Sequence, residues 1–154
     1  MRAISPWLLL LFLTILPAQA GHKPPKIILR VHVQTTGEGM PAELATTIAL
    51  PPNGETIQIR SLPEVSEIDL TDVKQAPDGT VRLFFDHRGQ VNLSAATAEN
   101  QGRILVLMID GYITYAPIID QQITNGELDI PHPLSSQIVQ LLQETARQNV
   151  RAAR

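Results

Sequence analysis

Cysteine is absent from the 154-residue sequence. Its absence excludes a disulfide framework, a thiolate zinc site, an iron–sulfur cluster, a thiol nucleophile and a lipid-modified cysteine near the amino terminus. An excess of positive charge is missing too. Twelve Lys and Arg face 15 Asp and Glu with no basic block, so nothing offers the electropositive footprint that nucleic acid requires. Aromatic residues contribute only 4%, which leaves aliphatic side chains to build the core. No Gly-x-Ser-x-Gly elbow and no Gly-x-x-x-x-Gly-Lys phosphate loop occurs. An Asp-x-Asp-x-Asp-Gly calcium loop is missing as well. His22, His32, His87 and His132 stand too far apart for a dedicated zinc spacing. Ser66, Ser94, Ser135 and Ser136 fall in strand, helix or cap contexts that need no catalysis to explain them. Neither a metal nor a cofactor is expected.

The amino terminus reads as a targeting segment. Arg2 supplies a positive start, Trp7 to Leu16 forms an apolar run broken only by Thr14, and Pro17-Ala18-Gln19-Ala20 closes it with small residues. This order is that of a secretory signal peptide over residues 1–20, cleaved after Ala20. As a helix the run reaches about 15 Å, half of the ~30 Å hydrocarbon core, so stable insertion after cleavage is not expected. Residues 21–26, Gly-His-Lys-Pro-Pro-Lys, form a Pro-rich flexible lead. Residues 27–148 then make one domain, followed by a basic tail at 149–154 containing Arg151 and Arg154.

Apolar residues alternate at Ile27, Leu29, Val31 and Val33, the period of a strand with one buried face; His32 falls on its wetter side. Thr46–Leu50 and Thr56–Arg60 continue a meander around the Pro51-Pro52-Asn53-Gly54 turn. Ser66–Leu70 and Val81–Asp86 are further predicted strands. Beyond Gly89, Val91, Ala95 and Ala98 share one side of a short predicted helix that closes at Gly102. Ile104–Ile109 is unbroken in its apolar character, as a strand covered on both faces must be. Asp110-Gly111 follows, a two-residue hairpin turn that needs positive φ at both residues. Asn125-Gly126 turns the chain into a strand at Glu127–Ile130. Ser135 caps a final helix, with Leu134 and Val139 as a staple and Ile138, Leu141, Leu142 and Ala146 facing inward. The predicted class is α+β, a mostly antiparallel sheet with a short helix and a C-terminal helix packed on one face.

Candidate chemistry is sparse. Glu67 and Asp69, two apart on a predicted strand, share one face, the spacing of a potential acid pair. Tyr112 and Tyr115 flank the tight hairpin, and of consecutive Phe84 and Phe85 one must face away from the core. Tyr112, Tyr115 and Phe84 are therefore the candidate binding residues.

The segment from Gly102 through Asp120 carries a resemblance. Asn100-Gln101-Gly102 ends a helix, an aliphatic strand enters Asp110-Gly111, a second strand leads to Ala116-Pro117, Asn125-Gly126 turns before the last strand, and Leu134-Ser135 opens the final helix. Over residues 80–148 this order resembles the head part of the first large periplasmic region of the protein-export membrane protein SecD. Tyr115 stands where that family usually has Ser, and Pro131 and Pro133 replace its glycines. The sequence holds no counterpart of the six-helix membrane portion or of the base part of the periplasmic region. The resemblance thus implies a detached, secreted, periplasmic head domain, and it carries no catalytic residue across. The expected function is a non-enzymatic one: binding a polypeptide client, either an unfolded exported chain or an envelope complex, through a sheet edge or apolar patch. The alternatives are a small envelope hydrolase using acids such as Glu67 and Asp69, and a structural component that oligomerises.

Overall fold

In a computed structural model, residues 27–37, 39 and 41–153 are described. The predicted signal peptide, the lead with His22, and Arg154 lie outside the described residues. The strands are β1 (Leu29–Thr35), β2 (Ala45–Leu50), β3 (Glu55–Arg60), β4 (Val65–Ser66), β5 (Leu70–Gln75), β6 (Val81–Phe85), β7 (Leu105–Ile109), β8 (Tyr112–Tyr115) and β9 (Glu127–Ile130). Two helices, α1 (His87–Glu99) and α2 (Ser136–Ala152), complete the α+β fold. Instead of one sheet the strands form two: β2-β3-β1-β7-β8 with β4 added to β1, and β5-β6-β9, all pairs antiparallel.

The core lies between these sheets and the helices. Alternation on β1 sends Leu29, Val31 and Val33 inward, opposite Ile109, Leu107 and Leu105 of β7 in register. The small sheet contributes Val73, Val81, Leu83, Leu128 and Ile130, α1 contributes Leu93 and Ala96, and α2 contributes Val139, Leu142 and Ala146. Burial of this aliphatic surface is the main force holding the layers together. Polar ties set the seat of α2: Asn149 Nδ2 donates to the carbonyls of Glu67 at 2.7 Å and Leu70 at 2.9 Å, and Gln143 Nε2 to that of Val73 at 3.1 Å.

β7 is covered on both faces, as its unbroken aliphatic run requires, but the outer cover is not a helix. The β2–β3 ribbon curls over it. Ile57 and Ile59 meet fully buried Val106, with Ile48, Leu50, Ile104, Met108 and Ile113 around them. This cover also buries His32, only 4% exposed, which corrects its expected place on a wet face. Its Nδ1–H donates to the Arg60 carbonyl at 2.8 Å, and loss of hydration holds its pKa below the ordinary histidine value.

Two further expectations are corrected by local hydrogen bonding. Ser66–Leu70 is not one strand: β4 ends at Ser66, Glu67–Asp69 is a 3-10 turn closed by the Asp69 carboxylate, which accepts from the Ser66 N–H at 2.9 Å, and Leu70 opens β5 opposite Phe85. Glu67 and Asp69 therefore do not share a strand face. The helix α1 begins at His87, ahead of Gly89, because the Asp86 carboxylate accepts from the Gly89 N–H at 2.8 Å as its cap. The earlier start accompanies a different inward face, made by Gly89, Leu93, Ala96 and Thr97, while Val91, Ala95 and Ala98 are exposed.

The hairpin is as predicted, with φ of 49° at Asp110 and 83° at Gly111. Register shifts between Leu107 and Met108, leaving Thr114 of β8 as an extra, bulged residue. Ser135 caps α2 through Ile138 N–H at 3.3 Å, and the helix continues through residues 149–152 of the expected tail.

Candidate functional site

β9 is the outer strand of the small sheet, and no strand among the described residues pairs with its far side. The bond from Phe85 N–H to the Gly126 carbonyl at 2.9 Å sets the phase of the ladder. With Leu83 opposite Leu128 and Val81 opposite Ile130, these residues exchange the bonds to β6. The backbone groups of Glu127 and Asp129 then point to the open edge. The Glu127 N–H is taken by Asn125 Oδ1 at 3.1 Å. Asp129 presents its N–H and C=O outward.

Beside this edge runs an open groove of about 460 Å³. Leu105, Tyr115, Ile118, Ile123, Glu127 and Asp129 are among the residues lining it. Its far wall, residues 117–124, is pinned to neighbours. Leu105 N–H donates to the Pro117 carbonyl at 2.9 Å, Ile119 N–H to Arg103 at 2.8 Å, and Ile123 N–H to Thr97 Oγ1 at 2.9 Å. Gln90 Nε2 holds the Thr124 carbonyl at 2.7 Å. Tyr115, which lines the groove, is met edge-on at 6.2 Å by the ring of His132, whose Nε2 donates to the Thr114 carbonyl of β8 at 2.9 Å. The wall is thus preformed rather than assembled on binding.

The charge of the groove is set by Arg82. Its Nε and Nη2 grip Asp129 at 2.6 and 2.8 Å, and Nη1 reaches Glu127 at 3.3 Å. Hydrogen bonding to Asp129 raises the guanidinium pKa above its ordinary value. One cation is shared by two carboxylates, and Asp120 adds a third acid to the lining, so the groove is acidic on balance.

The structure brings two of the three candidate aromatics to this region. Tyr115 lines the groove, half-buried against the core. Phe84 sits on the outer face of the small sheet opposite Glu127, with the Lys74 ammonium 4.7 Å from its ring centre, while Phe85 is buried. Tyr112 is 79% exposed at the other end of β8 and takes no part. The pairing of Arg82 with Asp129 is not legible in the sequence: the alternation at Glu127–Ile130 places both acids outward, but Arg82 lies 47 residues away.

The acids considered for catalysis are committed elsewhere. Glu67 accepts from the Leu29 N–H at 3.2 Å, and Asp69, buried, accepts from Ser66 N–H and from Arg88 Nε at 2.7 Å. Among the described residues no group of three or more His, Asp or Glu is arranged to hold a metal ion, and no helix is long and apolar enough to cross a membrane.

The described residues therefore form an α+β fold of two antiparallel sheets and two helices, with a preformed groove beside the outer strand β9. Over 78% of its length it matches a solved structure of the membrane component SecDF, which enhances protein export, with a TM-score of 0.55 and 21% identity. A crystal structure of SecDF in its super-membrane-facing form matches over the same share with a TM-score of 0.55 and 22% identity. The chain spans 61% of the first of these structures and 18% of the second. Its fold is SecD-like, in agreement with the resemblance in the sequence. No protein-family model and no curated protein matches it.

Proposed function

We propose that this domain is a non-enzymatic, periplasmic polypeptide-binding module that adds an extended client segment as a fourth strand along β9. The observation that carries the reading is the outward N–H and C=O of Asp129 beside a preformed groove. A free strand edge supplies backbone hydrogen bonds to any extended chain, and pockets beside it select side chains. The Tyr115 wall offers apolar contact, and the acidic lining favours clients with basic residues. The SecD-like fold supports a link to protein export, because SecDF enhances that process.

The test is binding of a short labelled peptide of alternating valine and lysine, followed by fluorescence anisotropy. Asp129→Asn keeps the outward N–H, whereas Asp129→Pro removes it without taking a donor from the β6 ladder, a change that edge strands accommodate. Binding is expected to survive the first substitution and to be lost with the second at unchanged circular dichroism. Tyr115→Ser and Phe84→Ser weaken it, and Tyr112→Ser does not. Equal binding by wild type and Asp129→Pro would refute the site. A doubled mass by light scattering that disappears in Asp129→Pro would instead assign the edge to a second copy of the chain.

A further inference from the structure

The outer edge of the large sheet is a second interaction surface, independent of the groove. β2 ends that sheet, and no strand among the described residues pairs with its far side. Two hydrogen bonds set the phase of its ladder. Ser61 N–H donates to the Leu44 carbonyl at 2.8 Å, and the Arg60 carbonyl, opposite Ala45, turns away from β2 to accept from His32 at 2.8 Å. Thr46, Ile48 and Leu50 therefore exchange bonds with β3, while Ala45, Thr47 and Ala49 direct their N–H and C=O groups outward. Edges of this kind are ordinarily guarded by charge, by a proline within the strand or by a bulge. β2, Ala-Thr-Thr-Ile-Ala-Leu in unbroken register with β3, has no such guard.

We infer that β2 pairs antiparallel with β2 of a second copy of the chain, about a two-fold axis through Thr47. The register identifies the occupant. With the axis there, Ala45 meets Ala49 of the copy, Thr47 meets Thr47, and Ala49 meets Ala45. Each pair exchanges both of its hydrogen bonds, so every outward group of both strands is satisfied at once. An axis one residue nearer the turn brings Pro51, which has no N–H, opposite Ala45. An axis one residue the other way sets Glu43 opposite Ala49, and the Glu43 carbonyl is already held by the Ser61 hydroxyl at 3.3 Å. The Thr47 axis also covers an apolar hollow of about 250 Å³ beside the start of β2, where Leu44 and Leu62, 44% and 72% exposed, stand with Pro63. Leu50 of the second copy falls opposite Leu44 as a non-hydrogen-bonded pair, the kind whose side chains approach most closely, and Pro51 follows it. β2 contains no charged residue, so no like charges meet at the axis. A client with basic residues finds nothing on this edge to select it, unlike the acidic edge at β9. The pairing uses none of the groove residues.

Sedimentation equilibrium of the purified chain over a concentration series tests the inference. The wild type is expected to reach twice the mass of one chain, and Asp129→Pro to do so equally, which separates this edge from the one at β9. Thr47 is exposed, so a charge there leaves the fold intact. Thr47→Lys and Thr47→Glu each set like charges face to face on the axis and are expected to raise the dimer dissociation constant at least about tenfold at unchanged circular dichroism. Mixing the two variants sets opposite charges face to face and is expected to restore the doubled mass. A wild type that stays at the mass of one chain, a doubled mass that Thr47→Lys leaves untouched, or a mixture that stays monomeric would overturn the pairing.

Discussion

Val106→Ala isolates the role of the β2–β3 ribbon. Val106 is fully buried and belongs to the face of β7 turned away from the helices, against Ile57 and Ile59. Removing two methyl groups forfeits ~1.6 kcal/mol of transfer free energy at ~0.8 kcal/mol per carbon. A residual cavity of about 50 Å³ at ~24 cal/mol per Å³ adds ~1.2 kcal/mol where neighbours do not close it. The expected loss is thus about 2–3 kcal/mol, or a fall in Tm of roughly 5–10 °C for a chain of this size. Urea unfolding should be followed by circular dichroism, since the sole tryptophan, Trp7, lies outside the described residues. The midpoint should fall at constant slope, the signature of a stability change alone. A loss below ~0.5 kcal/mol, the range of exposed positions, would mean that the ribbon does not cover β7 in solution.

Gly89→Ala should lower the Tm although alanine is the better helix former by ~1 kcal/mol. A Cβ there would lie 2.8 Å from the Phe85 Cβ and 3.0 Å from the Asp69 Cβ, and overpacking of this kind costs about 1–3 kcal/mol. A raised Tm would show that α1 has room to move away from β6. His32 predicts a pH slope. Its folded pKa lies below the ordinary histidine value of about 6.5, so in acid the unfolded chain binds a proton that the folded chain refuses. Stability is then fully present above the unfolded value and falls as pH drops from about 6.5 toward the folded pKa. His32→Gln, which keeps a donor for the Arg60 carbonyl, should flatten this part of a Tm-against-pH curve; an unchanged curve would exclude His32 as its source.

Legibility in the sequence followed how local each determinant is. The Asp110-Gly111 hairpin and Glu127–Ile130 were readable because turn residues and alternation sit side by side. The face of α1 was not, because Thr97 hides its hydroxyl by donating to the Leu93 carbonyl at 2.7 Å and so occupies an apolar position. The strand expected at Ser66–Leu70 failed to a side-chain bond that competes with the ladder. His32 reads as a surface residue until the ribbon is folded over it, a contact made by segments far along the chain. Phe84 and Phe85 were separable by period alone, one in and one out. The groove itself combines β6, β8, β9 and residues 117–124, and only the two-sheet topology shows that β9 ends the small sheet and that Arg82 reaches Asp129.

The central claim, that the edge of β9 receives an extended chain, is tested most directly by amide hydrogen exchange at Asp129 and Leu128. In the free domain Asp129 should exchange fast and Leu128 slowly; with saturating valine–lysine peptide, Asp129 should become protected while Leu128 stays as it was. Binding that leaves the Asp129 amide as fast as before would contradict the account.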